Sequence, residues 1–308
     1  MNQPRIKKKS RLELFDVVNY FIMFCVLLIV AYPLYFTVIA SISDPAATST
    51  GQVTLWPVGL NLDAYEHVFA YKQIWVGYGN SLINTVLGTL FNLLLTIPAA
   101  YALSKRDLPH RGIITVYFLI TMYFSGGLIP TYLQIKKMNL LDTRTILILL
   151  GGLSVYNLIV SRTYFSNSID DALYEAAEID GADEFKKFFT IALPLSKPII
   201  AVMALYYSVS HWNGYFNAMI YTNQSRLETL QLVLRRILVL NQSALDPEIL
   251  AEQMATNPDA LSMLLEQANM AYTMKFAVVF IASAPLLVAY PFVQKYFVKG
   301  VMIGAVKG

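Results

Sequence analysis

The sequence predicts an all-α integral membrane protein, a bundle of six membrane-spanning helices carrying a polar helical elbow on one side and a helical loop on the other. Three observations predict it. Hydrophobic residues fill 56% of the 308 positions and charged residues only 14%, where a soluble chain carries roughly a quarter. Mean hydropathy is +0.51. Apolar runs of about 20 residues, the length that crosses a hydrocarbon core of about 30 Å, recur along the whole chain.

Taken in order, the runs place spans near 17–42, 78–103, 112–133, 144–164, 198–220 and 274–296. The first has no small-residue cleavage site closing a short apolar core, so it reads as a retained helix rather than a signal peptide. Ahead of it, residues 1–16 form a basic arm with Arg5, Lys7, Lys8, Lys9 and Arg11. The remainder, 17–308, reads as one transmembrane domain containing the elbow region 168–194, an outer loop 222–272 and a tail 297–308. Lysine and arginine orient it. The arm, the turn "SKRDLPHRG", the elbow and the tail with Lys299 and Lys307 share one side, which the positive-inside rule makes cytoplasmic. Both termini of a multi-pass cell-membrane protein then lie inside. One connection disagrees: the segment with Lys136, Lys137 and Arg144 falls outside although it is basic.

Several chemistries are excluded. A net charge of +3, with no long basic run beyond the arm, gives no support for nucleic acid binding. The single cysteine, Cys25, lies inside the first apolar run, so no intrachain disulfide forms. His67, His110 and His211 lack metal-ligand spacing, and no metal site is expected. The terminal "GVMIGAVKG" has neither the spacing nor the strand-to-helix context of a phosphate-binding loop. No nucleophile, base and orienting group fall into a recognisable arrangement, so no enzyme activity and no catalytic residue are expected.

The most polar internal segment is "EAAEIDGADEFKKFFTIALP", Glu175 to Pro194. Ser168 followed by Asp171 resembles a capping box opening a short helix, and Gly181 supplies a left-handed stop. Asp183 then opens a second helix in which Phe185, Phe188, Phe189 and Ile191 recur at helical spacing, and Pro194 breaks it. The product is a helix, turn, helix elbow outside the membrane. Small Ala176 and Ala177 allow another surface to approach closely. An interfacial helix pair lying on headgroups would also suit Lys186, Lys187 and the phenylalanines.

The spacing is more specific than that. Glu175-Ala176-Ala177, three residues, Gly181, nine residues, Ile191, one residue, Leu193-Pro194 reproduces the EAA motif, and the chain resembles the carbohydrate-type permeases of ABC importers. It is similar to the smaller membrane subunit of the maltose importer, and "YFSGGLIPTYL", "WNGYFNAMIY" and "KYFVKGVMIGAVKG" resemble the branch that imports complex oligosaccharides in Gram-positive bacteria. The resemblance implies that the elbow is a coupling helix seated on a cytosolic ATPase dimer, with Glu175, Ala176, Ala177, Asp180, Gly181 and Phe185 at the docking surface. It also implies a second homologous permease, an extracellular sugar-binding protein and an oligosaccharide substrate. No cofactor is expected in this chain, since ATP and Mg would belong to the partner ATPase.

The substrate path is less sharply marked. Asn80, Ser81, Asn84, Thr85, Thr89 and Asn92 give the second span one polar face, equally suited to a pathway and to interhelical hydrogen bonding. In the fifth span Tyr207, His211, Trp212, Asn213 and Asn217 combine aromatic planes, which cover sugar faces, with amides that bond hydroxyls. The same aromatics also suit an interfacial belt. Tyr156 and Asn157 add weaker candidates from the fourth span. The outer loop, divided by Pro247 and Pro258, is expected to hold short helices that meet the binding protein. An ion-driven secondary transporter is the competing reading, but it should carry membrane-embedded carboxylates. No Asp or Glu falls inside the six spans.

Overall fold

The computed structural model describes residues 14–244 and 260–305. Residues 1–13 of the basic arm, the middle of the outer loop with Pro247 and Pro258, and the last three residues lie outside the described residues. The described chain falls into two compact units, one containing the stretch up to Val68 and Asn241–Ile281, the other Phe69–Leu240 and the chain from Ala282 onward.

In the first unit, α1 (Leu14–Ser41) is a long apolar helix. It exposes Leu27, Ile29, Val30 and Leu34 among many others, a surface that suits hydrocarbon rather than water. At its end Ser43 accepts a hydrogen bond from Val58 N at 3.2 Å, and Asp44 caps α2 (Pro45–Ser49) by accepting from Ala47 N at 3.0 Å. α3 (Asp63–Ala70) follows. Within the same unit Phe36 meets Phe276 edge-on at 5.6 Å.

The second unit is organised around α4 (Lys72–Ser104). Its buried face carries Asn80, Ser81, Asn84, Gly88, Thr89, Asn92 and Thr96, the polar stripe expected from the sequence. Around it lie α5 (Arg111–Tyr123), α6 (Leu128–Lys137), α7 (Arg144–Leu149) and α8 (Val155–Ser168). The elbow consists of α9 (Asp171–Ile179) and α10 (Glu184–Leu195). α11 (Lys197–Trp212), α12 (Tyr215–Tyr221) and α13 (Leu230–Ala244) complete the series. α4 packs most extensively on α11, then on α8 and α7.

Three expected spans are broken. The run at 112–133 divides into α5 and α6, bent by 109°, at a Gly126-Gly127 pair whose Gly127 has φ +84. The run at 144–164 divides into α7 and α8 across residues 150–154, where Gly151 has φ +75 and the Ser154 hydroxyl accepts from Asn157 N to start α8. The run at 198–220 divides at Asn213 and Gly214 into α11 and α12. Hydrophobicity alone does not report such breaks, and at the second of them backbone groups are taken up by long-range partners, Asn92 and Tyr207.

The last helix, α14 (Ala260–Ala305), reaches well beyond the expected 274–296 at both ends. "SMLLEQANM" is therefore the start of that helix and not a separate short helix. Among the described residues three helices are singly long and apolar enough to cross a membrane, or five crossings if each bent pair counts as one. No strand occurs among the described residues.

Candidate functional site

Over residues 171–195 the chain folds as helix, turn and helix, and two details differ from the sequence expectation. The cap of α9 is Asp170, whose carboxylate accepts from Ala172 N at 3.1 Å, while Ser168 still belongs to α8. A shorter side-chain reach thus wins over the capping box. Gly181 has φ +74, and its N–H donates to Glu178 O. Asp183 caps α10 by accepting from Lys186 N at 2.7 Å. Helical structure continues past Pro194 to Leu195 through a π turn over Phe188–Ala192, and the chain bends by 77° only on entering α11. The wider turn accommodates a proline that cannot donate.

Of the expected docking residues, Glu175, Ala176, Asp180, Gly181 and Phe185 are exposed and Ala177 is half-buried. Ile179 and Phe189 join them with large exposed apolar surfaces. What holds this surface is a clamp that motif spacing did not reveal. Lys187, buried at 5% exposure, donates to Glu178 and Glu184, both at 2.9 Å. Glu184 also accepts from the Tyr101 hydroxyl at 3.0 Å, which ties α10 to the end of α4. The Lys105 ammonium stands 3.1 Å from the centre of the Tyr174 ring and 4.8 Å from that of Tyr101, a cation–π arrangement between the α4 end and α9. Lys105, Tyr174, Glu178, Glu184 and Lys187 border a cavity of about 410 Å³ that is also lined by Arg106, Asp107, Arg111 and Glu175.

Ionisation follows from the clamp. Burial pushes the Glu184 carboxyl up, but the hydrogen bonds from Lys187 and Tyr101 and the charges of Lys105 and Lys187 outweigh it and hold it below the usual value. Hydrogen bonds to Glu178 and Glu184 raise Lys187, while burial, opposed by Glu184, lowers Lys105. Burial, then Asp171 and Glu184, push the Tyr174 phenol up to about 12.

A second cavity, also of about 410 Å³, opens where the α7/α8 and α11/α12 breaks face the polar stripe of α4. The Asn92 amide donates to Gly151 O at 2.9 Å and to Gly152 O at 2.7 Å, occupying carbonyls that the first break frees. Its Oδ1 lies 2.6 Å from His211 Nε2, so the imidazole is the donor there. Gly88 makes room for that ring, since a Cβ at this position would stand 2.4 Å from it. The Tyr207 hydroxyl accepts from Ser154 N at 3.3 Å and pairs with Thr96 Oγ1 at 2.7 Å.

Of the expected path residues, Asn157, Tyr207, His211 and Asn217 line the cavity, and Tyr156, Trp212 and Asn213 do not. Trp212 is 2% exposed and donates to Ala282 O at 2.9 Å. Asn213 is the exposed end of α11, and Tyr156 is exposed. Asn84, Asn92 and Thr229 also line it. Above the cavity Asn80 donates to Arg226 O and Glu228 O and accepts from Arg144 at 2.7 Å, which gives one cation of the discordant basic segment a structural partner. Among the described residues no group of His, Cys, Asp and Glu could hold a metal.

A family model described as "Binding-protein-dependent transport system inner membrane component" matches residues 74–303. The chain belongs to that family. Its members are permease subunits of ABC transporters, located in the membrane and not themselves enzymes, and the EAA motif is typical of them. The chain is 38% identical to Protein LplC of Bacillus subtilis (strain 168), over 96% of each chain. It is 37% identical to the polygalacturonan/rhamnogalacturonan transport system permease protein YtcP of the same organism, over 96% of this chain and 99% of that one. A solved bacterial ABC transporter involved in the import of the acidic polysaccharide alginate contains a chain that superposes with a TM-score of 0.78. That chain is 32% identical, and the match covers 96% of this permease and 100% of the other.

Proposed function

We propose that this permease subunit carries an oligosaccharide, released by an extracellular binding protein, through a pathway shared with a second homologous permease and driven by a cytosolic ATPase dimer. The observation that carries the reading is the inner cavity. Its walls present amides, hydroxyls, tyrosines and an imidazole, with no Asp, Glu, Lys or Arg, the chemistry that bonds sugar hydroxyls. The relative named for polygalacturonan and rhamnogalacturonan transport and the neighbour named for alginate support a saccharide cargo. Six crossings are assigned to α1, α4, α5–α6, α7–α8, α11–α12 and α14, with both termini cytoplasmic. The elbow is assigned to the ATPase, with Glu175, Ala176, Asp180, Gly181 and Phe185 facing the groove and Ala177 behind them. ATP and Mg bind the ATPase and not this chain.

Uptake of labelled oligosaccharide by the reconstituted assembly tests both assignments. Glu175→Lys is expected to abolish capture of the ATPase in pull-down and, with it, uptake, while the purified permease keeps its thermal midpoint. Gly181→Val, which places a β-branched residue at φ +74, is expected to do the same at a folding cost of about 1–2 kcal/mol. Survival of both capture and uptake in these variants would remove the docking assignment.

A further inference from the structure

Among the polar side chains that line the inner cavity, two groups stand apart by their hydrogen bonds. Asn92, His211 and Tyr207 have their hydrogen bonds committed to one another's neighbours: to the Gly151 and Gly152 carbonyls, to the Asn92–His211 pair, and to Thr96 and Ser154 N. A group already satisfied by the fold gains little from a ligand. Two others are left over. Asn84 Oδ1 and Thr229 Oγ1 are buried without a hydrogen-bond partner, each residue is 4% exposed, and both line the cavity. A buried polar atom left unpaired costs free energy, so its persistence needs a reason.

Thr229 makes the point most clearly. It immediately precedes α13, where a threonine ordinarily spends its hydroxyl on the first N–H groups of the helix. Here the Leu232 and Val233 N–H groups donate to the Thr229 backbone carbonyl, and the hydroxyl of this cavity-lining residue is left without a partner. The segment carrying it is fixed against α4, because Asn80 donates to Glu228 O at 2.9 Å and Leu230 N donates to Ser81 Oγ at 2.9 Å. Asn84 lies one turn along α4 from that anchor, which brings the two unpaired atoms to the same end of the cavity.

We infer that Asn84 and Thr229 form a hydroxyl-reading subsite for the transported saccharide, a step that rests on the oligosaccharide reading above. Oδ1 of Asn84 can only accept, and the Thr229 hydroxyl can donate or accept. A sugar hydroxyl is both donor and acceptor, so one such group satisfies either atom. A carboxylate cannot donate to Oδ1, and no cation stands on the cavity wall to offset its charge. This half of the path therefore reads ring hydroxyls, and any uronate carboxylate is read elsewhere in the assembly.

The test uses the full assembly in liposomes, with galacturonotriose and its neutral counterpart galactotriose as probes, and the near-isosteric variants Thr229→Val and Asn84→Leu. The KM for uptake should rise about tenfold, as when one buried hydrogen bond to cargo is lost, for both probes alike where both are carried. The binding protein's own affinity should not change, and Thr229→Ser should restore uptake. The thermal midpoint of Thr229→Val should hold or rise, because an unpaired buried hydroxyl has been removed; a merely structural hydroxyl would give a lower midpoint. Unchanged uptake in both variants, or an effect confined to the charged probe, overturns the subsite. Failure of the wild-type assembly to take up either probe overturns the oligosaccharide reading itself, and the subsite with it.

Discussion

The cavity beside the elbow and the cavity inside the bundle have the same volume, about 410 Å³ each. The first is walled by Lys105, Arg106, Asp107, Arg111, Glu178, Glu184 and Lys187, and the second by asparagines, serines, tyrosines and a histidine without one formal charge. Solvent accounts for the difference. At the elbow a carboxylate such as Glu178 keeps most of its hydration, since its side chain is 73% exposed while pairing with Lys187. Within the bundle no residue on the cavity wall carries an opposite charge, and polarity there is delivered by neutral groups. The charged cavity suits the role proposed for the elbow, contact with another protein, and the neutral cavity suits the role proposed for it, passage of a polar uncharged cargo.

The largest expected effect comes from placing a charge where only neutral groups stand. Asn92→Asp keeps the shape but turns an amide that donates to Gly151 O and Gly152 O into a carboxylate facing two carbonyls. A loss of about 3–5 kcal/mol is expected, the scale for a buried charge left with the His211 N–H as its one remaining partner among these groups, read as a lower thermal midpoint in detergent and little folded permease in membranes. A wild-type midpoint would mean that the inner cavity is wetter than its lining suggests.

Next comes crowding of the same cavity. Gly88→Ala sets a Cβ 2.4 Å from the His211 ring, so the imidazole must leave Asn92. A cost of about 1–3 kcal/mol is expected, with uptake reduced more than ATPase capture. The elbow should respond in the opposite sense. Lys187→Met removes the cation shared by Glu178 and Glu184 but leaves both carboxylates largely in water. The bundle should keep its midpoint while the ratio of sugar moved to ATP hydrolysed falls. A large midpoint loss would show that the clamp stabilises the fold rather than aims the elbow.

The smallest effect is alkaline. The Tyr174 phenol is held up to about 12, against an ordinary 10.0, so the folded chain keeps a proton that the unfolded chain releases. Stability contributed there is complete below pH 10.0 and is lost as pH rises towards about 12. Hydrogen exchange at α9 should accelerate over that window, before exchange in α4 does.

How much of this was readable beforehand varied with the range of the interaction responsible. The elbow's turn and its second cap, at Gly181 and Asp183, were readable because each depends on residues within a few positions. Family membership was readable from the EAA spacing for the same reason. The clamp was not, since Tyr101 and Lys105 reach Glu184 and Tyr174 from about 70 to 80 positions away. The aromatic and amide run of the fifth span does not by itself separate cavity-lining residues such as Tyr207, His211 and Asn217 from packed ones. Trp212 looked suited to sugar stacking, but it packs inside at 2% exposure with its N–H spent on Ala282 O. Thr229, from the loop expected to meet the binding protein, also lines the cavity, through a long-range approach that local spacing does not report.

The sequence by itself determined that this protein is helical and membrane-embedded, that it carries an EAA elbow, and that it has no nucleotide loop. Each of these is a property of composition or of short-range spacing. Only the tertiary structure decided where the spans break and which polar groups remain unspent. A broken helix survives in a low-dielectric setting only if distant partners take up its freed carbonyls, as Asn92 does across about 60 positions. Whether an asparagine or threonine is wall or reader depends on what the rest of the fold has already bonded to it.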